Sequence, residues 1–192
     1  MHGSSAKRME RFLQLYAAPW SGTVSGDLVA LDVGAADPGI QYKQMFVKGY
    51  PFLEDFPGWD KSRWTYKGLD LHGDINVDIA VCGDPYHWPV PDASIDLVIS
   101  GQAFEHIEYP WLTMGEISRV MKPGSLCCII APSGGIIHRH PVDCWRFLPD
   151  GFIALAKHAN LEPLVSELQW ETGVCGEDAA GSADLTLIAR KP

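Results

Sequence analysis

Three aspartates and three histidines of this chain stand where they could do chemistry. Asp32, Asp70 and Asp84 each fall at or near the end of an apolar run, or in the turn that follows one. A carboxylate just past a strand can accept two hydrogen bonds from a ribose diol, the role expected of Asp70. Asp84, made rigid by the following Pro85, is placed to accept from an adenine amino group. One such aspartate is most often a turn or cap residue. Several spaced through one alternating array of strands and helices point instead to a nucleotide-like ligand at the carboxyl edge of a sheet. Asp96 begins its apolar run, at the opposite edge, and is expected to be structural.

The histidines form a second group. His106 closes the segment QAFEH (102–106), while His138 and His140 open HRHPVDCWRF (138–147), which also holds Asp143, Trp145 and Arg146. An imidazole titrates near neutral pH and is the natural acceptor of a proton from a hydroxyl. His138 or His140 is the expected base, His106 its rival, and Asp143 an orienting partner. Arg146 could bind a carboxylate or phosphate, and Trp145 could stack on a sugar or aromatic ring. The bland alternative pairs Asp143 with Arg146 and sends Trp145 and Phe147 to the core. On a helix Gln102 would face both Glu105 and His106, with those two either bracing the helix or taking part in the chemistry.

The elements that must position these residues can be read from apolar periodicity. VALDVGAADPG (29–39) is a buried strand that stops at an acid, turns on small residues and leads into a helix from about Ile40. Further strands are expected at Arg63–Leu71, Val77–Val81, Ser94–Ser100 and Leu126–Ala131, and a final pair at 162–171 and 183–190 around a Gly/Ala-rich hairpin. Helices are expected from Ser4-Ser5 to about Ala18, over 40–48, over 102–121 with a new segment at Pro110, and over Asp150–Asn160. Pro19 should end the first of these, which either packs on the flank or forms a lid. The aromatic, proline-broken stretch from Tyr50 to Trp59 is an insertion, and 132–149 is a long loop. The alternation predicts an α/β protein with a mostly parallel sheet covered on both faces. Residues 1–27 would be an N-terminal helix and linker, and 28–192 the core of one domain.

A length of 192 residues is enough for such a core, and 46% hydrophobic with 20% charged residues is ordinary for a globular protein. The net charge of −9 and the lack of any basic run disfavour nucleic acid as a partner. Five cysteines, with no CxxC and with Cys127 and Cys128 adjacent inside an apolar run, suggest buried thiols in a reducing compartment. No secretory h-region and no membrane-length apolar run are present, so a soluble, cytoplasmic protein is expected.

The ordered segments DVGAADPG, YKGLDL, GDPYHWPVPDASIDLVISGQAFEHIEYPW and EISRVMKPGSLCCIIAPSGG, over roughly residues 28–135, resemble the motifs of class I S-adenosylmethionine-dependent methyltransferases. The similarity is greatest to the small-molecule branch, methyltransferase type 11. The resemblance implies a Rossmann-like, doubly wound seven-stranded sheet of order 3-2-1-4-5-7-6 with the last strand antiparallel, a three-layer sandwich. It implies S-adenosyl-L-methionine as cofactor and S-adenosyl-L-homocysteine as product. Asp32 and Gly34 would cradle the methionine end, with Ala36 where the family usually has glycine. Asp70 and Leu71 would take the ribose, Asp84 and Pro85 the adenine, and Gly101 and Gln102 the floor near the sulfonium. The acceptor would be a small molecule, most naturally a hydroxyl of a sugar or secondary metabolite, as in natural product biosynthesis. N- or C-methylation and a non-catalytic cofactor-binding module are the alternatives, in a monomer or homodimer. Some members bind a divalent metal through ExxEH and a further histidine. Here Gln102 replaces the first glutamate, and no metal is assigned.

Other signatures are absent. The opening turn lacks GxGxxG, and Asp37 would repel a pyrophosphate. GDPY (83–86) imitates a base N-methyltransferase signature but does not follow the fourth strand, and no Pro-Cys nucleophile follows that strand either.

Overall fold

The computed structural model describes residues 3–36, 42–49, 56–168 and 183–192. Seven strands form one sheet: β1 (Leu28–Val33), β2 (Trp64–Asp70), β3 (Ile79–Ala80), β4 (Ile95–Gly101), β5 (Met121–Pro132), β6 (Glu162–Leu168) and β7 (Asp184–Arg190). Their order is β3-β2-β1-β4-β5-β7-β6, parallel except for β7, which runs antiparallel to both its neighbours. This is the order the resemblance implied. The turn at Asp37–Gly39, the insertion at 50–55, Cys175 and most of the hairpin before β7 lie outside the described residues.

Strand residues alternate between two apolar layers. Ala30, Leu97, Ile99, Cys128 and Ile130 face one core, while Leu31, Val98, Cys127, Ile129 and Ala131 face the other. The adjacent cysteines therefore point to opposite faces, and burial pushes both thiols up, Cys127 to about 12. The first layer is closed by the N-terminal helices α1 (Gly3–Phe12) and α2 (Ala18–Ser21) and by α3 (Tyr42–Gln44). The second is closed by α4 (Pro110–Val120) and α5 (Pro149–His158). Met9, Phe12 and Leu13 are fully buried in the first layer, so the N-terminal segment is a packed flank and not a lid.

Two boundaries differ from expectation. Pro19 does not end the N-terminal helix. A π-helical turn at Leu13–Ala17 resets the ladder, and Pro19 falls in the first turn of α2, where its missing N–H costs little. The helix expected from residue 102 is not there. Strand β4 runs to Gly101, Gln102 takes a left-handed φ of 58°, Phe104–His106 is a single 3₁₀ turn, and only then does α4 begin at Pro110.

At the amino edge of the sheet Asp96 behaves as a structural acid. It accepts from the Val29 backbone N–H at 2.9 Å and from Lys122 Nζ at 2.7 and 2.8 Å.

Candidate active site

The carboxyl ends of β1, β2 and β4 meet where the chain order reverses, and a cavity of about 740 Å³ opens there. That volume is within the range that holds a nucleoside and a small second ligand. The turn after β1 is pinned to the end of β2. Gly34 and Ala35 donate backbone N–H groups to the Leu69 carbonyl at 2.9 and 3.2 Å, and Ala36 donates to Asp70 Oδ2 at 3.0 Å. Gly34 has a φ of +83°, and a Cβ there would overlap the Ala103 side chain. Both facts demand glycine. Ala36 has no left-handed φ, so a Cβ is tolerated at the third small position.

Asp70 Oδ1 accepts from the Leu71 N–H at 2.7 Å, so each oxygen of this half-buried carboxylate keeps one lone pair for a ligand. Gly101 abuts the buried Tyr42 ring, which a Cβ would strike, and the Tyr42 hydroxyl is bonded to Ser5 Oγ at 2.9 Å. The floor of the cavity therefore rests on the N-terminal helix through Tyr42.

The structure brings Gly34, Ala36, Asp70, Leu71, Pro85, Gly101, Gln102, His106, His138 and His140 into the wall of this cavity. Asp32, Asp84, Asp143, Trp145 and Arg146 are not in it. Asp32 is buried beneath the wall, where its carboxylate accepts from the Tyr66 hydroxyl, and burial raises its pKa to about 7. Asp84 is exposed, and its Oδ1 caps its own turn by accepting from the Tyr86 N–H at 2.9 Å. Gln102 turns its amide away to Asp184 Oδ1 at 3.0 Å, so it does not face Glu105 and His106 as a helix would require.

The loop after β5 is stapled from within. Arg146 forms a forked pair with Asp143 at 2.6 and 2.8 Å and donates to the Ile136 carbonyl at 2.7 Å, while Asp143 accepts from the His138 backbone N–H at 2.7 Å. Arg146 holds the Asp143 carboxyl well below its usual range. Trp145 donates to the Ile107 carbonyl at 2.9 Å and meets Trp111 edge-on, and Phe147 stacks on Phe152 in the core. The bland alternative is the one the structure adopts for Asp143, Arg146 and Phe147.

The sequence left Glu105 either bracing its segment or taking part in the chemistry. The 3₁₀ turn buries it completely in the cavity wall, yet neither carboxylate oxygen has a hydrogen-bond partner among the described residues. Burial raises its pKa to about 7. His106 Nε2 and His138 Nε2 stand 3.7 and 3.8 Å from its Oε1. The signal in the sequence was the QAFEH spacing, which does not say which way the Glu105 side chain points once the segment is not a helix. Tyr86, Trp88 and Thr113 also line the cavity and had no signal of their own.

Residues 62–129 match the family model for a methyltransferase domain, the type 11 branch. Together with the sheet order, this makes the chain similar to class I S-adenosylmethionine-dependent methyltransferases. No curated protein matches it by sequence. Among solved structures, phosphoethanolamine N-methyltransferase 2 of Haemonchus contortus is 16% identical with a TM-score of 0.62, over 96% of this chain and 52% of that one. Geranyl diphosphate C-methyltransferase of Streptomyces coelicolor is 12% identical with a TM-score of 0.59, over 97% and 80%. The [4+2]-cyclase SpnF is 17% identical with a TM-score of 0.58, over 88% and 77%. These likenesses are of fold. No helix of the described residues is long and apolar enough to cross a membrane.

Proposed function

We propose that this protein transfers a methyl group to a hydroxyl of a small molecule, with a sugar or secondary metabolite as the best-fitting class. The observation that carries this reading is the cavity itself, which runs from Gly34, Asp70 and Gly101 to Glu105, His106, His138 and His140. The first end suits S-adenosylmethionine, and the second offers proton acceptors for an O–H.

The residues fit that cofactor. Asp70 has lone pairs left for the ribose hydroxyls, and the side-chain-free Gly34 and Gly101 let a ligand lie against backbone. Leu71, Val81 and Pro85 supply apolar surface for the adenine ring, a role more in keeping with their place in the wall than the polar one expected of Asp84. When bound, the cofactor supplies an electrophilic methyl group on a sulfonium. The chain's own contribution is to hold donor and acceptor in line, keep bulk water out, and take up the hydroxyl proton. His140 is exposed, His106 has the Val142 carbonyl 2.6 Å from its Nδ1, and the His106 ring centre is 5.0 Å from that of His138 and 5.8 Å from that of His140. Asp143 orients His138 through its backbone N–H, while its side-chain oxygen stands 3.7 Å from His138 Nδ1.

The fold also carries N- and C-methylation in the two methyltransferases above, and cyclisation in SpnF, so fold alone does not choose the acceptor. A screen of hydroxyl, amine and carbon acceptors with labelled S-adenosylmethionine makes the choice. Methylated hydroxyl products are expected. Product from amines alone would replace the O-methyl reading with an N-methyl one, and cofactor binding with no product in any class would leave a binding module.

A further inference from the structure

We propose that Arg119 and Glu116 are positioning residues for the part of the cavity wall that would receive the adenine ring, although neither side chain lines the cavity. Both belong to α4. The wall segment 85–92 has no strand or helix of its own, so no ladder holds its backbone and its polar groups must be paired in other ways. The Glu116 carboxylate accepts from the Trp88 N–H at 2.7 Å, and the Arg119 guanidinium donates to the Trp88 and Val90 carbonyls at 3.1 and 2.8 Å. The same guanidinium grips Glu116 with two bonds of 2.7 Å and also reaches Asp92. All five of its N–H groups are thereby used, and Trp88 is held at both its N–H and its C=O.

The hold reaches the ligand side through Trp88. This residue is buried, and its indole Nε1 donates to the Pro85 carbonyl at 3.0 Å, while Pro85, Tyr86 and Trp88 all line the cavity. A second tie, from the Tyr109 N–H to the Tyr86 hydroxyl at 3.2 Å, comes from the residue that precedes α4. An exposed ion pair would be worth little. Glu116 is only 8% exposed, and burying a charged pair costs desolvation that an apolar pair of similar volume would avoid. What an apolar pair cannot supply is the set of directed bonds to the Trp88 and Val90 backbone.

This assignment rests on the cofactor reading above. Without the pair, the ligand itself must order the Tyr86 and Trp88 side chains, and ordering two such side chains lowers affinity about fivefold or more. The loss belongs to the nucleoside half of the ligand. Adenosine should therefore lose the same factor as S-adenosylhomocysteine, since Gly34 and Gly101 at the other end are untouched.

The test is titration calorimetry of the full-length protein with S-adenosylhomocysteine and with adenosine, beside hydrogen exchange at the Trp88 amide. Arg119→Lys keeps the charge but cannot make the fork and both carbonyl bonds at once. It should weaken both ligands about fivefold or more. The double variant Glu116→Leu, Arg119→Met leaves no unpaired charge behind, so it folds even where a single deletion does not. It should show the same losses and faster exchange at the Trp88 amide. Arg190→Met, which breaks the exposed pair with Glu162 at the far side of the sheet, should bind like wild type. Wild-type affinity in Arg119→Lys and in the double variant overturns the proposal, even if their melting temperatures fall, because the pair would then serve the fold alone. A loss seen with S-adenosylhomocysteine but not with adenosine overturns it as well. A wild type that binds neither ligand sinks the cofactor reading and this assignment with it, whereas binding by wild type and variants alike sinks the assignment alone.

Discussion

Each oxygen of Asp70 already accepts one backbone N–H, from Ala36 and from Leu71, and those bonds fix the carboxylate in the cavity wall. Asp70→Ala should therefore lower S-adenosylhomocysteine affinity by at least about tenfold in calorimetry, the worth of a charge-assisted hydrogen bond or two. Asp84→Ala should change it little, because that side chain serves its own turn outside the wall. Equal losses in both variants would contradict the assignment. Gly34→Ala should cost about 2–3 kcal/mol or more in denaturant melts, since it meets both a left-handed φ and the Ala103 side chain. The place of Asp70 at the cavity was legible from the end of its strand, although the same kind of position sends Asp32 beneath the wall. The Asp143–Arg146 pair was legible only as one of two alternatives, because a spacing of three residues serves an internal bridge as well as a free cation.

The loop from Ser133 to Leu148 works as one element whose staple is the Arg146 guanidinium. Its anchors are Cys144 and Trp145, whose backbone N–H groups donate to the Glu105 carbonyl at 2.7 and 3.3 Å. Loop and 3₁₀ turn thus hold each other, which places His138 opposite Glu105. Arg146→Met should leave S-adenosylhomocysteine affinity near wild type. It should lower kcat/KM for an accepted substrate about tenfold or more by loosening His138, and speed hydrogen exchange at the His138 amide. Unchanged exchange at that amide would show that the staple is dispensable. The strands around this loop were readable because each carries an uninterrupted apolar run. QAFEH was misread as helix because its polar spacing fits a 3.6-residue period, while Gln102 at φ 58° breaks the helix before it starts. Periodicity reports what a segment could bury and is silent on the backbone angle at its first residue.

At the scale of the whole molecule, the sheet places an acid under its own binding edge. Asp32 lies on the same face of its strand as Ala30, toward the first core, with Tyr66 as its donor, and burial raises its pKa from 3.8 to about 7. In the unfolded chain the same group ionises near its ordinary value. Between about pH 4 and 7 the native state therefore binds more protons than the unfolded state, and stability falls as pH rises across that window. The drop is bounded by roughly 4 kcal/mol, about three pKa units at 1.36 kcal/mol each. The Tyr66 hydrogen bond acts the other way, because it favours the ionised form. Asp32→Asn keeps an acceptor for Tyr66 and removes the titration. The stability difference between wild type and Asp32→Asn, measured by urea melts at each pH, cancels every other group. It should move steadily in favour of the variant from pH 4 to 7 and level off above. Tyr66→Phe in the wild-type background should carry the decline to higher pH. A difference that stays flat across the window would mean that Asp32 ionises in the native state near its ordinary pKa. The acid under the site would then be charged throughout, and the burial argument for it would be lost.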